Sequence, residues 1–198
     1  MMGSFRHSLT MEVNANHNWK QMNLLHLVYP RDDAIARVLA YCSTAPLIII
    51  ISVATLLFIR RDLHTICLFG GVLFDEAINA AVKRILKHPR PDTPYENKLR
   101  TYGMPSNHSQ FMGFFCTYSV LFVWIRLHSN SVQRRWRYFL CATSMTLCGV
   151  TCYSRIYLLY HTPEQVYVGL TLGAATGSLW FFLVHFILTP HFLSICDS

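Results

Sequence analysis

Charge is scarce in this sequence. Asp, Glu, Lys and Arg make up 14% of the 198 residues, against roughly 25% in a typical soluble domain. Only 10 residues are acidic, while 53% are hydrophobic. That balance argues against an ordinary soluble domain and excludes a disordered or low-complexity chain. The Cys/His spacing of a zinc finger is missing, as is any basic helix repeat, so the 17 Lys and Arg do not point to nucleic acid. The first 37 residues contain no apolar core of a signal peptide, so no cleavable leader is expected and the first apolar run is expected to serve as its own insertion signal. Of the seven cysteines, Cys42, Cys67, Cys116, Cys141, Cys148 and Cys152 lie in or beside apolar runs. They read as small buried hydrophobes, not as a disulfide framework.

What the chain does have is long uncharged runs. Val38–Ile59 is 22 residues without Asp, Glu, Lys or Arg, about 33 Å as a helix. Thr101–Ile125, Tyr138–Ser154 and Gln165–Cys196 add uncharged stretches of 25, 17 and 32 residues. The expected fold is all-α, a polytopic membrane helix bundle of about five spans. These run near 40–59, 63–87, from after Pro105 to Ile125, 138–153 and from Pro163 to Leu188. Residues 1–37 form a polar N-terminal segment, 38–190 the membrane-embedded domain, and 191–198 a short tail. Gly169, Gly173 and Gly177 recur every fourth residue, a small-residue face suited to close helix packing within the bundle. The short loops holding Arg60, Arg61, Arg126, Arg134, Arg135 and Arg137 carry a single acid, Asp62. The positive-inside rule places them in the cytosol and the 88–104 and 154–162 loops outside or in a lumen.

The reactive residue types gather on that second side. Lys83 and Arg90 flank the end of the second span, Ser106 and His108 open the third, and Arg155 and His161 lie between the fourth and fifth. Guanidinium and ammonium groups hold the oxygens of a phosphoryl group. A helix start supplies unpaired N–H groups, and imidazoles supply a nucleophile and a proton carrier near neutral pH. Anchoring and snorkelling account for Arg60, Arg61 and Arg137. His26, His64 and His185 read as isolated polar contacts.

The motifs also carry a resemblance. Lys83-Arg-Ile-Leu-Lys-His-Pro-Arg90-Pro91 resembles the first motif of the type 2 phosphatidic acid phosphatase superfamily, a Lys, six residues and Arg-Pro. Met104-Pro-Ser-Asn-His-Ser-Gln110 resembles the second, Pro-Ser-Gly-His, and Ser154-Arg155 with His161 resembles the third. Within it, residues 62–66, 102–112, 153–166 and 188–190 are similar to the dolichyldiphosphatase family. The resemblance implies a hydrolase of the endoplasmic reticulum membrane with a lumenal active site. It would remove one phosphate from dolichyl diphosphate and recycle the lipid carrier of protein N-glycosylation. Its implied partners are a polyisoprenoid diphosphate lipid and bilayer lipids, with no nucleic acid and no obligate protein partner.

The resemblance also implies roles. His161 attacks phosphorus and His108 protonates the leaving oxygen. Lys83, Arg90 and Arg155 hold the phosphate oxygens with Ser106 and the backbone at Asn107 and His108. No cofactor and no metal is implied, and the acids Asp92 and Glu96 show no ligand geometry. Two positions depart from the superfamily: Asn107 stands for Gly, and Gln165 for the Asp that orients the nucleophile. An amide oxygen can still accept the imidazole N–H and fix its tautomer. A diphosphate also expels a weaker base than a monoester does, so a neutral partner is tolerable. Glu164 reaches the same place only if the helix start turns it inward. Glu76 shares a helix face with Asn79 and Lys83, which makes it a support for Lys83 or a bundle contact; Ser154 is a further candidate support. Asn107-His108-Ser109 fits a glycosylation sequon, but its place at the phosphate seat argues against use. A broad-specificity lipid phosphate phosphatase, or a non-catalytic lipid-phosphate-binding or scaffold protein, is also consistent with the pattern.

Overall fold

The computed structural model describes residues 19–22, 27–30, 32–91, 102–126 and 131–190. Asp92 and Glu96, most of the N-terminal segment and the 191–198 tail lie outside the described residues. Among the described residues, a short antiparallel pair, β1 (Trp19–Met22) and β2 (Leu27–Pro30), leads into six α-helices. These are α1 (Ala34–Cys42), α2 (Ala45–Arg60), α3 (Leu63–Leu86), α4 (Asn107–Leu121), α5 (Ser131–Tyr157) and α6 (Pro163–Leu183). Helices α4 and α6 each run on into a wider π-type turn, Phe122–Arg126 and Val184–Leu188.

Local chemistry explains the boundaries. Asp33 caps α1 by accepting from the Ile35 and Ala36 N–H groups at 2.8 and 3.0 Å. Pro46 stands in the first turn of α2, where a missing N–H leaves no bond unmade. The expected first span near 40–59 lies mainly on α2, and with α1 ahead of it forms one 27-residue apolar stretch. Asp62 caps α3 through the Thr65 N–H and hydroxyl, and Lys87 closes it in a left-handed conformation, φ 47°. Thr162 and Gln165 make a reciprocal capping box at the start of α6.

Three helical stretches are long and apolar enough to cross a membrane: Ala34–Arg60, Leu63–Leu86 and Pro163–Leu188. The expectation of five spans is corrected to that extent. The two other expected segments are helical, but not on grounds of apolarity. Helix α4 opens with Asn107-His-Ser-Gln and is enclosed by its neighbours, with Ser109, Gln110, Phe111, Met112 and Phe114 buried. Its polar groups meet helices, so it needs no lipid-compatible surface. Helix α5 carries Arg134, Arg135 and Arg137 near its start and extends one turn beyond the expected end at Tyr153.

The α4–α6 seam is the most extensive contact in the fold. Gly169, Gly173 and Gly177 lie on it. A Cβ at Gly169 would stand 2.7 Å from the Ser106 carbonyl oxygen, and one at Gly177 would stand 2.7 Å from that of Phe114. At Gly173 it would overlap the Gln110 carbonyl. The two helices run parallel in register, so both begin at the same end of the bundle. Here the glycine stripe serves packing within the chain, as expected.

A buried polar knot ties α3 to this seam. Asp75, 2% exposed, accepts from Gln110 Nε2 at 2.9 Å and from the Thr176 hydroxyl at 2.6 Å. Asn79 Nδ2 donates to Gln110 Oε1 at 2.7 Å. Each member has a partner, which is what makes a buried carboxyl tolerable inside a bundle. Phe114, Tyr118, Phe181, Met112, Val72 and Val166 pack around it as the apolar core.

Candidate active site

Four helix ends meet at one end of the bundle: the last turns of α3 and α5 and the first turns of α4 and α6. The connecting backbone is stitched together there. The Ser106 N–H donates to the Gln165 carbonyl at 3.1 Å, and the Gly103 N–H to the His88 carbonyl at 2.7 Å. After α5 the chain reverses at Leu159, φ 58°, and both Tyr160 and His161 donate their N–H groups to the Arg155 carbonyl.

His161 is 4% exposed. Its Nδ1 lies 3.0 Å from the Gly103 carbonyl oxygen and 3.1 Å from Gln165 Oε1. The Gln165 amide is oriented by its own partners. Its Nε2 donates to the Pro89 carbonyl at 2.8 Å and reaches His88 Nδ1 at 3.1 Å, while the Thr162 N–H donates to Oε1 at 3.3 Å. Both groups facing Nδ1 are therefore acceptors. The imidazole carries its proton on Nδ1 and its lone pair on Nε2. Burial, then the Arg155 and Arg90 charges, push the His161 pKa down to about 3, with Lys83 adding to them and the Gln165 hydrogen bond acting in the opposite sense. The ring is neutral, and so nucleophilic, throughout the physiological range.

Two separated segments bring cations to this ring, and a third brings His108. Lys83 and Arg90 act electrostatically on one another, and His108 lies within electrostatic reach of Arg155, His161, Lys83 and Arg90. Arg155 is 4% exposed and lies over the face of Tyr160, 4.2 Å from the ring centroid, a cation–π contact. Tyr160 is itself pinned: the Val28 N–H of β2 donates to its hydroxyl at 2.7 Å. Burial raises the Tyr160 pKa, opposed by the Val28 bond and by the Arg155 and Arg90 charges, so the ring stays a neutral phenol.

The other expected residues fall in different places. Ser106 is fully buried at the head of α4, its Oγ accepting from the Ser109 hydroxyl at 3.2 Å. The Asn107 side chain is turned to Glu76, with Nδ2 donating to Oε1 at 3.2 Å. Only its main chain, in the unpaired first turn of α4, points to anion binding. That contact and the full burial of Ser109 also speak against glycosylation of the sequon. Glu76 thus holds Asn107, and Asn79 turns away into the Gln110 knot. Ser154 is fully buried and donates to the Thr151 carbonyl of its own helix at 2.6 Å. Glu164 is exposed in the first turn of α6, leaving Gln165 as the residue that meets His161. Sequence reasoning missed Gly103, His88 and Tyr160. Gly103 had the best signal, three residues before Ser106: a Cβ there would stand 2.6 Å from the Gln165 amide nitrogen. Among the described residues, no three His, Cys, Asp or Glu side chains gather as a metal site would require.

Comparisons with known proteins cover the part of the chain that holds this site. The PAP2 superfamily pattern matches residues 64–188. "Dolichyldiphosphatase 1" of Rhinolophus ferrumequinum is 39% identical over 180 residues, 88% of this chain and 76% of the relative. "Dolichyldiphosphatase" of Saccharomyces cerevisiae is 34% identical over 185 residues, 91% and 77% of the two chains. "Lipid phosphate phosphatase gamma" of Arabidopsis thaliana is 36% identical over 188 residues, 90% and 80%. The crystal structure of a transmembrane PAP2 type phosphatidylglycerolphosphate phosphatase from Bacillus subtilis superposes with a TM-score of 0.64 at 19% identity, covering 79% of this chain and 80% of that one. It shows the fold.

Proposed function

Because this chain belongs to the PAP2 superfamily and is closely related to the dolichyldiphosphatases, we propose that it hydrolyses dolichyl diphosphate to dolichyl phosphate and inorganic phosphate. The observation that carries the reading is the His161 ring, fixed by Gly103 and Gln165 with its Nε2 lone pair open to chemistry among Lys83, Arg90 and Arg155. In the first step Nε2 bonds to the terminal phosphorus as the P–O bond to dolichyl phosphate breaks. The electron pair leaves on that oxygen, and His108 supplies its proton. In the second step water, losing a proton to His108, displaces His161 from phosphorus and releases inorganic phosphate. Lys83, Arg90, Arg155 and the first-turn N–H groups of α4 hold the charge that builds on the phosphoryl oxygens.

In this reading residues 38–190 are the phosphatase domain and five helical segments cross the bilayer, α4 and α5 among them. The Lys83–His161 end faces the lumen of the endoplasmic reticulum, where the product re-enters the N-glycosylation carrier pool. No metal ion or cofactor takes part and no protein partner is required. Phosphate release from dolichyl diphosphate by purified protein in EDTA tests this directly, with phosphatidate as competitor. Turnover is expected to persist in EDTA and to fall by about four orders of magnitude in His161→Ala. Dependence on Mg²⁺, or substantial turnover by the variant, overturns the mechanism. The Arabidopsis relative favours a second reading, a broader lipid phosphate phosphatase, which equal turnover of phosphatidate would support.

A further inference from the structure

A cavity of about 650 Å³ opens at the other end of the bundle, between α3, α4 and α5. It does not border His161. Phe115, the uppermost α4 residue on its wall, is seven residues beyond His108, about 10 Å along the helix, and the wall continues down to Phe122 and Val123. Leu68, Tyr118, Leu140 and Leu147 make much of the rest apolar. Its volume falls within the roughly 300–1,000 Å³ of small-molecule sites.

The mouth is different in kind. Arg60, Asp62, His64 and Thr65 line it where α2 turns into α3. Asp62 accepts from Thr65 and feels the charge of Arg60. The cation and the anion thus lie within electrostatic reach of one another at the mouth. Two neighbouring cations at this end are engaged elsewhere. Arg126 Nη2 donates to the Thr189 hydroxyl at 2.8 Å. Arg137 donates to the Trp124 carbonyl at 3.0 Å and lies 4.7 Å over the Trp124 ring.

We propose that this cavity is a binding site for one zwitterionic glycerophospholipid of the leaflet on the Arg60 side. One acyl chain would fill the slot between Phe115 and Leu147. The lipid phosphate would meet Arg60 and the headgroup ammonium would meet Asp62. A purely anionic headgroup would bring its charge against Asp62, and the substrate's own isoprenoid tail would leave the Arg60–Asp62 pair without a match. The site is separate from the reactive rim and independent of the function proposed for it.

Native mass spectrometry of the full chain, released from vesicles of phosphatidylcholine, phosphatidylglycerol and a polyisoprenyl phosphate, tests the assignment. One phosphatidylcholine is expected to remain on each chain. Ser144→Phe, which fills the slot from α5, is expected to lower that occupancy about tenfold and Arg60→Gln about threefold. Phosphate release should stay within about twofold of wild type in both. Arg60 is exposed, so Arg60→Gln still reports if Ser144→Phe fails to fold. Retention of phosphatidylglycerol or of the polyisoprenyl lipid instead, retention of none, or unchanged occupancy in Arg60→Gln overturns the proposal.

Discussion

The two ends of the bundle are built on opposite principles. At the reactive end, four helix termini close on one another, and buried polar atoms of His161 and Gln165 are held by short contacts from three separate loops. At the other end, α4 and α6 loosen into π-type turns and a large apolar cavity separates α3 from α5. The first end fixes angles and tautomers; the second holds helices together with a few ties such as Arg126–Thr189. Hydrogen bonds over-determine the first end, and the second leaves space between its helices. The glycine seam between α4 and α6 runs from the first end toward the second.

Disrupting that seam should have the largest effect. Gly173→Ala places a methyl against the Gln110 carbonyl and is expected to lower stability by about 3 kcal/mol or more, read as a drop in melting temperature. Gly149→Ala, which meets nothing within 4 Å, should be neutral or slightly stabilising in the same assay. Equal losses from the two would deny the seam its special role.

Acid should weaken the protein through the reactive end. With its folded pKa near 3, His161 stays unprotonated where an unfolded histidine, near 6.5, takes up a proton. Stability from this group is full above about pH 6.5 and falls as pH drops toward 3. The loss by pH 5 is about 2 kcal/mol. A His161→Phe variant that retains the same pH-dependent loss in denaturation curves would show that other groups cause it.

Gln165→Asp tests how specific the amide is. A carboxylate would set an oxygen against the Pro89 carbonyl where the amide now donates. A loss of about tenfold in kcat/KM for the diphosphate is expected. The ratio of diphosphate to monophosphate turnover should shift as well, and an unchanged ratio would count against the leaving-group argument for Gln165.

Tyr160 offers a finer probe. Tyr160→Ala removes the ring under Arg155 and should raise KM about fivefold. Tyr160→Phe keeps the ring and should stay within about twofold. Equal effects would assign the hydroxyl contact with Val28, not the stacking, as the important one. The smallest effect is expected at the far end. Arg126→Ala should leave turnover unchanged and lower stability by about 1 kcal/mol, so a large loss of activity there would erase the contrast between the ends.

The site was legible wherever it is written in short local strings. Lys83 to Arg90, Pro105 to His108 and Arg155 to His161 each carry their spacing in the chain itself, and the three converge. The partners of Gln165 were harder to find. Its amide oxygen accepting from His161 follows from a four-residue step at a helix start. Its nitrogen reaching Pro89 depends on a loop some seventy residues away. The direction of the Ser154 hydroxyl was not legible, because motif spacing says nothing about which way a hydroxyl turns, and in a helix Ser readily bonds its own backbone. The membrane character of α2, α3 and α6 was plain from apolar runs. Helix α4 was harder to grade, since its polar residues are paid for by the Asp75–Gln110–Asn79 knot, which no periodicity reveals.

The parallel start of α4 and α6 has a consequence for biogenesis. His161 finds its Gln165 partner, and Ser106 its carbonyl, only once the start of α6 has come to lie beside the start of α4. A polypeptide that ends before that point holds Lys83, Arg90 and His108 but lacks the contacts that orient the imidazole of His161.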